Sequence, residues 1–297
     1  MNMTTRRLEV FQGMGFILPV LVILFVFTIL PLGYAFVLSL MRVNQLAGTY
    51  EFIGLSNYQN AVNDPRVHVA LLNTLRYVAI VVPVQTVIAL IMAVALNSKI
   101  KFQKTFRTIY FLPTLTSSSA LTMIFMFLFA VNGPANNFLV DMGFIESPIN
   151  FVGDVRFALN SIMVMNIWAT VPFYTTIYLA ALQDVPDTLY EAAGLDGANT
   201  WQKLIKITVP NVVPVTNFII LMGIIGCFQV FDQAFIISGG TGGPANSTLT
   251  FALVIYQYAF QVIGTMGYAA TLAIILAAII FIVSIVARKL NKEESLY

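Results

Sequence analysis

Charge is what this sequence lacks most. Only 9% of its 297 residues are Asp, Glu, Lys or Arg, against roughly 25% in a soluble domain, too few to solvate a surface of that size. With 59% hydrophobic residues, the composition is that of an integral membrane protein. A net charge of +2, from 15 basic and 13 acidic residues, lacks the basic excess of a nucleic-acid binder. Cysteine occurs once, at Cys227, which excludes an intrachain disulfide, and histidine once, at His68, which argues against a histidine metal site or a histidine-centred catalytic group. Cys227 reads as a small apolar packing residue, and His68, near Asp64 and Arg66, as a solvated one. Composition alone disfavours disorder, secretion and most enzyme chemistry.

What is abundant is uninterrupted apolar sequence. Charges in the hydrocarbon core cost several kcal/mol, so intervals without them locate crossings, each needing about 20 apolar residues in a helix. No charge lies between Glu9 and Arg42, Arg76 and Lys99, Arg107 and Asp141, Arg156 and Asp184, or Lys206 and Asp232. The interval from Asp232 to Arg288 has room for more than one helix, and Gly239, Gly240, Gly242, Gly243 and Pro244 break it as a turn at the membrane edge. The pattern predicts an all-α polytopic fold of six transmembrane helices, near residues 14–40, 73–96, 108–131, 158–182, 209–235 and 267–287. Pro31, Pro83, Pro113, Pro172 and Pro214 fall in or at the ends of these spans and read as tolerated kinks.

Basic residues are retained on the cytoplasmic side. Arg6 and Arg7 precede the first span, Lys99, Lys101, Lys104 and Arg107 fill the second-to-third loop, Lys203 and Lys206 the fourth-to-fifth, and Arg288, Lys289 and Lys292 follow the last. Arg42, Arg66, Arg76 and Arg156 stand on the other side. Both termini are therefore expected in the cytoplasm, and the first apolar stretch, too long for a signal-peptide core, reads as a retained helix.

The connection from Asp184 to Lys206 is the most polar on the cytoplasmic side. Thr188-Leu189-Tyr190-Glu191 fits a capping box that opens a short helix. Asp196-Gly197 supplies the left-handed turn that ends it, and Asn199-Thr200 caps a second helix running toward Val209-Pro210. Ala192 and Ala193 leave a smooth surface for close approach, beside an apolar knob at Leu189. These residues fit an interfacial helix pair and a docking element equally well.

Glu191-Ala192-Ala193, then Gly197, then Ile207-Thr208-Val209-Pro210, resembles the EAA signature of ABC importer permeases. The likeness extends over nearly the whole chain: Phe52 to Tyr58, Asp64-Pro65 and Asn73-Thr74 resemble the first external loop of carbohydrate permeases, and Phe106-Arg107-Thr108 with Phe111-Leu112-Pro113 their approach to the third span. Leu182 to Pro186, Leu195 to Ala198, and Phe228 to Asp232 leading to Gly242-Gly243-Pro244 continue it. The resemblance implies a type I importer permease fold. Residues 1–70 would hold the N-terminus, first helix and external loop, 71–288 the transmembrane core with its EAA coupling loop at 184–208, and 289–297 a cytoplasmic tail. It also implies a bacterial or archaeal inner-membrane location and several partners: a second permease subunit, a paralogue by family pattern, two ABC ATPase subunits and an extracytoplasmic solute-binding protein delivering a sugar. By the same resemblance Glu191 is the polar anchor to the ATPase, Ala192 and Ala193 the close-approach surface and Gly197 the turn. The chain itself is expected to be non-catalytic and free of cofactors, with ATP and Mg bound by the partner ATPases, because G-x-x-x-x-G-K-[ST] is absent from it.

A sugar at membrane depth needs hydrogen-bonding side chains and flat apolar faces. Asn166, Trp168, Thr170 and Phe173 in the fourth span, and Phe228, Gln229, Phe231 and Asp232 in the fifth, offer them. Asn166, Thr170 and Gln229 are the candidate contacts; Trp168 and the phenylalanines read as packing residues, and Asp232 as either a ligand or a boundary residue. The hydroxyl run from Thr114 to Ser119 reads as back-bonding to its own helix or glue between helices. The alternative is a secondary active transporter, which usually needs more intramembrane carboxylates or histidines than Asp232 alone. A membrane-embedded hydrolase lacks a second acid, a histidine or a metal cluster beside Asp232.

Overall fold

The computed structural model describes residues 3–45, 47–98 and 102–290. The basic residues Lys99, Lys101 and Lys292 of the expected cytoplasmic side, and positions 291–297 of the tail, lie outside the described residues. Among them five helices are long and apolar enough to cross a membrane: Met14–Ser39, Pro65–Asn97, Ala158–Gln183, Val213–Ser238 and Met266–Lys289. A bent pair, Thr105–Leu115 with Ser118–Leu128, completes six crossings when taken as one span. In chain order these are spans one to six, the bent pair being the third.

The sequence-based limits shift in three places. Span two starts at Pro65, not near residue 73, because a proline at the first helical position lacks only an N–H that would have had no partner. Span three is not the continuous helix expected over 108–131. Its halves meet at 100°, where Thr116 is extended and the Ser117 hydroxyl accepts the Ala120 N–H at 3.3 Å, capping a fresh helix. Span five starts at Val213, past a π-turn over Leu204–Thr208 and a short helix Val209–Asn211, and is interrupted between Phe228 and Asp232. Pro83 and Pro172 lie within unbroken helices, while Pro214 takes a first-turn position. In span one the π-turn Phe25–Ile29 precedes Pro31, whose missing N–H and bulky ring displace the regular bonding one turn earlier.

The chain divides into two compact units, one joining Met1–Asp64 to Ile255–Ile275, the other Pro65–Val254 to Leu276–Tyr297. The first unit holds the only strands among the described residues. β1 (Met41–Asn44) and β2 (Thr49–Phe52) form an antiparallel hairpin in which Arg42 faces Glu51, a small exception to an otherwise helical fold. Buried Asn57 anchors it, donating from Nδ2 to the carbonyls of Ser39 (2.9 Å) and Met41 (3.0 Å). The Asp64 carboxylate accepts the Tyr258 and Tyr268 hydroxyls at 2.7 and 2.9 Å, and Thr271 donates to the Ser39 carbonyl at 2.9 Å. Asn57 and Asp64, part of the family-like external motif, therefore act as structural ties within this unit.

The second unit is built on span two. Ala70, Thr74, Tyr77, Val81, Gln85, Ala89 and Ala93 form a buried stripe at helical spacing. The small alanines let Val171, Tyr174 and Tyr178 of span four pack closely, the usual solution where lipid removes the hydrophobic drive between helices. Hydroxyls then join the spans: Thr170 donates to Gln85 Oε1 (2.9 Å), Thr175 pairs with the Tyr110 hydroxyl (3.2 Å), and Tyr178 donates to Thr216 (2.9 Å). Between spans five and six, a segment with no counterpart among the expected helices forms a short helix, Phe251–Tyr256, with Leu249, Phe251, Leu253 and Val254 buried. Asn73 holds the carbonyls of Asn246 and Leu249, and the Phe251 N–H donates to Thr74.

The loop between spans three and four is stapled by Asn136, fully buried, which donates to the carbonyls of Ala130 (2.9 Å) and Ile149 (2.8 Å) and accepts the Ile149 N–H (2.8 Å). Asn136→Ala removes three bonds and leaves half-buried backbone groups of Ala130 and Ile149 without them, so it is expected to lower unfolding free energy by about 3 kcal/mol. Thermal unfolding of the detergent-solubilised chain measures this, and a midpoint equal to wild type would rule the staple out.

Candidate functional site

The polar loop folds as an elbow of two short helices. The first, Asp187–Leu195, starts two residues earlier than a Thr188 cap would place it. Pro186, at φ −61° and ψ 129°, takes the N-cap position, so Thr188 falls inside the first turn and the expected Thr188–Glu191 capping box does not form. Asp187 in that turn complements the helix dipole instead. At the far end Gly197 adopts φ +75°, and the N–H groups of Ala198 and Gly197 return to the carbonyls of Ala193 (2.8 Å) and Gly194 (3.2 Å), a Schellman closure. Asn199 and Gln202 form a reciprocal capping box, 2.8 and 2.9 Å, that opens Thr200–Lys203. The Lys203 ammonium folds back, 3.1 Å from where a Gly194 β-carbon would stand.

Glu191 and Ala192 are exposed and Ala193 half-buried, and the helix that carries them buries no residue. Beside them Leu195 and Trp201 are 91% and 67% exposed, apolar groups left uncovered next to acidic Asp187, Glu191 and Asp196. All four residues singled out by the signature, Glu191, Ala192, Ala193 and Gly197, thus lie on one elbow whose turn is held by its own backbone. Tyr190, adjacent to Glu191, reaches the Thr208 hydroxyl at 3.0 Å, a link that the sequence did not reveal.

The interruption of span five forms a second site. Residues 229–231 leave the helix, and irregular backbone at membrane depth is tolerated only where protein buries it or a wet cavity adjoins it. Here Thr250 donates to the freed Val230 carbonyl at 2.8 Å, and beside the break Asn166, Gln229, Phe231, Asp232 and Gln233 line a cavity of about 290 Å³. Gln233 donates to Ser118 Oγ at 3.0 Å, tying the cavity wall to the second half of span three. Asn166 and Gln229 are therefore brought together, whereas Thr170 is not in the lining and spends its hydroxyl on Gln85 and on the Asn166 carbonyl, 2.9 and 2.8 Å. Trp168 packs on Phe125 with ring centroids 5.4 Å apart. In the hydroxyl run, Thr114 bonds back to the Phe111 carbonyl at 2.7 Å, while Ser118 is the glue just described.

Gln85 escaped the sequence reading. It is 1% exposed, accepts from Thr170, and its Nε2 lies close to Gly223 of span five without a hydrogen-bond partner. An amide in the middle of the charge-free interval between Arg76 and Lys99, well away from Asn97 at its end, was the available signal.

The family of binding-protein-dependent transport system inner membrane components matches residues 85–294 of the chain. The lactose transport system permease protein LacF of Rhizobium radiobacter is 34% identical over 274 residues, 92% of this chain and 91% of LacF. The arabinooligosaccharides transport system permease protein AraP of Bacillus subtilis is 35% identical over 279 residues, 93% and 87% of the two chains. The trehalose/maltose transport system permease protein MalF of Thermococcus litoralis is 30% identical, over 94% and 93%. In fold, the chain matches one in the crystal structure of a bacterial alginate ABC transporter in complex with an alginate-pentasaccharide-bound periplasmic protein, with a TM-score of 0.83, 20% identity, and 99% and 98% coverage.

Proposed function

The chain belongs to the family of binding-protein-dependent transport system inner membrane components, and on that premise we propose that this permease subunit carries a sugar or small oligosaccharide inward, driven by a separate ATPase gripping the elbow around Glu191. The exposed elbow is the observation that carries the reading: a short helix with no buried residue, flanked by uncovered Leu195 and Trp201, is a surface built for a partner. The basic loops put the elbow, and both termini, on the cytoplasmic side. A second permease completes the pathway, ATP and Mg are bound by the ATPase subunits, and an external binding protein delivers the solute.

The sugar assignment is supported by what the relatives are named for, lactose, arabinooligosaccharides and trehalose or maltose, and by the cavity at the break in span five. Amides of Asn166 and Gln229 donate and accept, matching hydroxyl-rich ligands, and the Phe231 ring supplies an apolar face. Thr170 acts one step back, holding Gln85 and the Asn166 turn. Purification of the complex in mild detergent with mass-spectrometric identification of its subunits, followed by uptake of lactose, trehalose, maltose and arabinooligosaccharides into proteoliposomes, tests the reading. ATP- and vanadate-sensitive uptake that survives an uncoupler is expected; uptake abolished by the uncoupler while ATP is maintained points to a secondary transporter. In the same assay Gln229→Ala is expected to raise the half-saturating sugar concentration about fivefold, the worth of one hydrogen bond of about 1 kcal/mol. An unchanged value would remove Gln229 from the site.

A further inference from the structure

We infer that the hydrogen bond between Tyr190 and Thr208 is the latch through which the elbow drives span five. The inference rests on the coupling role proposed for the elbow and assigns its mechanical output, with Tyr190 and Thr208 as positioning residues. The main chain leaves the elbow at Lys203 and reaches span five through the π-turn Leu204–Thr208. A π-turn widens the hydrogen-bonded ring and is held less tightly than an α-turn, so by itself it would let the elbow swing while span five stood still. The Tyr190 side chain crosses that weak point. It leaves the helix one residue before Glu191 and meets the hydroxyl of Thr208, the last residue of the π-turn, at 3.0 Å. Thr208 is 5% exposed and Tyr190 half-buried, so the bond is sheltered from water on the Thr208 side.

Beyond Thr208 the load has a continuous route. The Val212 N–H donates to the Thr208 carbonyl (3.2 Å), the Thr216 N–H to the Val212 carbonyl (2.8 Å), and Thr216 Oγ1 accepts the Tyr178 hydroxyl of span four (2.9 Å). Val212 is fully buried in the cluster with Ala89 and Tyr178. Span five, so held, ends at the interruption that lines the Asn166 and Gln229 cavity. The elbow is itself stiffened by the Gly197 closure and the Asn199 capping box, so a push at Glu191 reaches Thr208 with little lost in bending.

The test uses the assembled complex in nanodiscs, with spin labels at Asp196→Cys on the elbow and Asn211→Cys at the start of span five, in a Cys227→Ala background. Both labelled positions are exposed. With the latch closed, the distance distribution between the labels is expected to be narrow and unchanged by ATP with vanadate. Tyr190→Phe and Thr208→Val are each expected to broaden it at least twofold under ATP with vanadate, the pair together no more than either alone, and Thr208→Ser, which keeps the hydroxyl, is expected to restore the narrow distribution. A distribution in Tyr190→Phe as narrow as wild type, a wild-type distance that shifts with nucleotide, or loss of the ATPase from the Tyr190→Phe complex overturns the latch, the last because it makes Tyr190 a docking contact. Failure of the ATPase to co-purify with the unmutated chain overturns the coupling role itself, a separate and earlier readout.

Discussion

Glu191→Ala leaves the chain folded and in the membrane but weakens its association with the ATPase by about 30-fold or more, with a matching loss of sugar-stimulated ATP hydrolysis. Folding is spared because Glu191 is exposed in mid-helix, its side chain makes no hydrogen bond or ion pair among the described residues, and alanine is the best helix former. Association is not spared, because truncating one partner of a desolvated, hydrogen-bonded charge costs about 2–5 kcal/mol, the lower figure being the 30-fold. Retention of the ATPase on affinity-tagged permease and its sugar-stimulated turnover are the measurements. Wild-type values for both would remove Glu191 as the anchor. Leu195 and Trp201, on the same elbow, give an independent check by the same pull-down, since a shared interface requires their truncation to act in the same direction.

Gly267→Ala is expected to lower unfolding free energy by about 1–3 kcal/mol or more, the cost of overpacking a site that cannot yield. A β-carbon there would overlap the backbone carbonyl oxygen of Met41 and stand 2.9 Å from that of Leu38. Flexible side chains could move aside, but these are main-chain atoms. Asn57 pins the carbonyls of Ser39 and Met41, and Thr271, on the same helix as Gly267, pins Ser39 again. Gly33→Ala is the control, since nothing lies within 4 Å of its β-carbon. In a helix that change is neutral or stabilising by up to about 1 kcal/mol. Thermal unfolding in detergent should separate the two variants by several degrees; equal midpoints would mean that the close approach of spans one and six at Gly267 is not maintained in solution.

The elbow shows how far a sequence can be followed and where it misleads. The Gly197 turn and the Asn199 cap are short-range devices that need only their own neighbours, and both form as expected, with the reciprocal bond from Gln202 added by the structure. Thr188 fails as a cap for an equally local reason: Pro186 already occupies the last non-helical position, which places Thr188 inside the helix. The third span misleads differently. Its apolar run is long enough for one crossing, yet Thr116 and Ser117 turn it through 100°, and Ser118 at the bend is the residue that Gln233 reaches from span five.

Hydropathy and charge alone marked this chain as a membrane protein and located its apolar spans, and a local motif marked the elbow around Glu191, because each depends on residues close together in the chain and, for the spans, on the cost of placing charge in hydrocarbon. The tertiary structure decided which polar groups share a cavity and where spans three and five break. Those outcomes rest on bonds between distant residues, Ser118 with Gln233, Val230 with Thr250, and Gln85 with Thr170. In a medium without water, a polar group is stable only beside the partner that satisfies it, and the choice of that partner is made by how the helices pack.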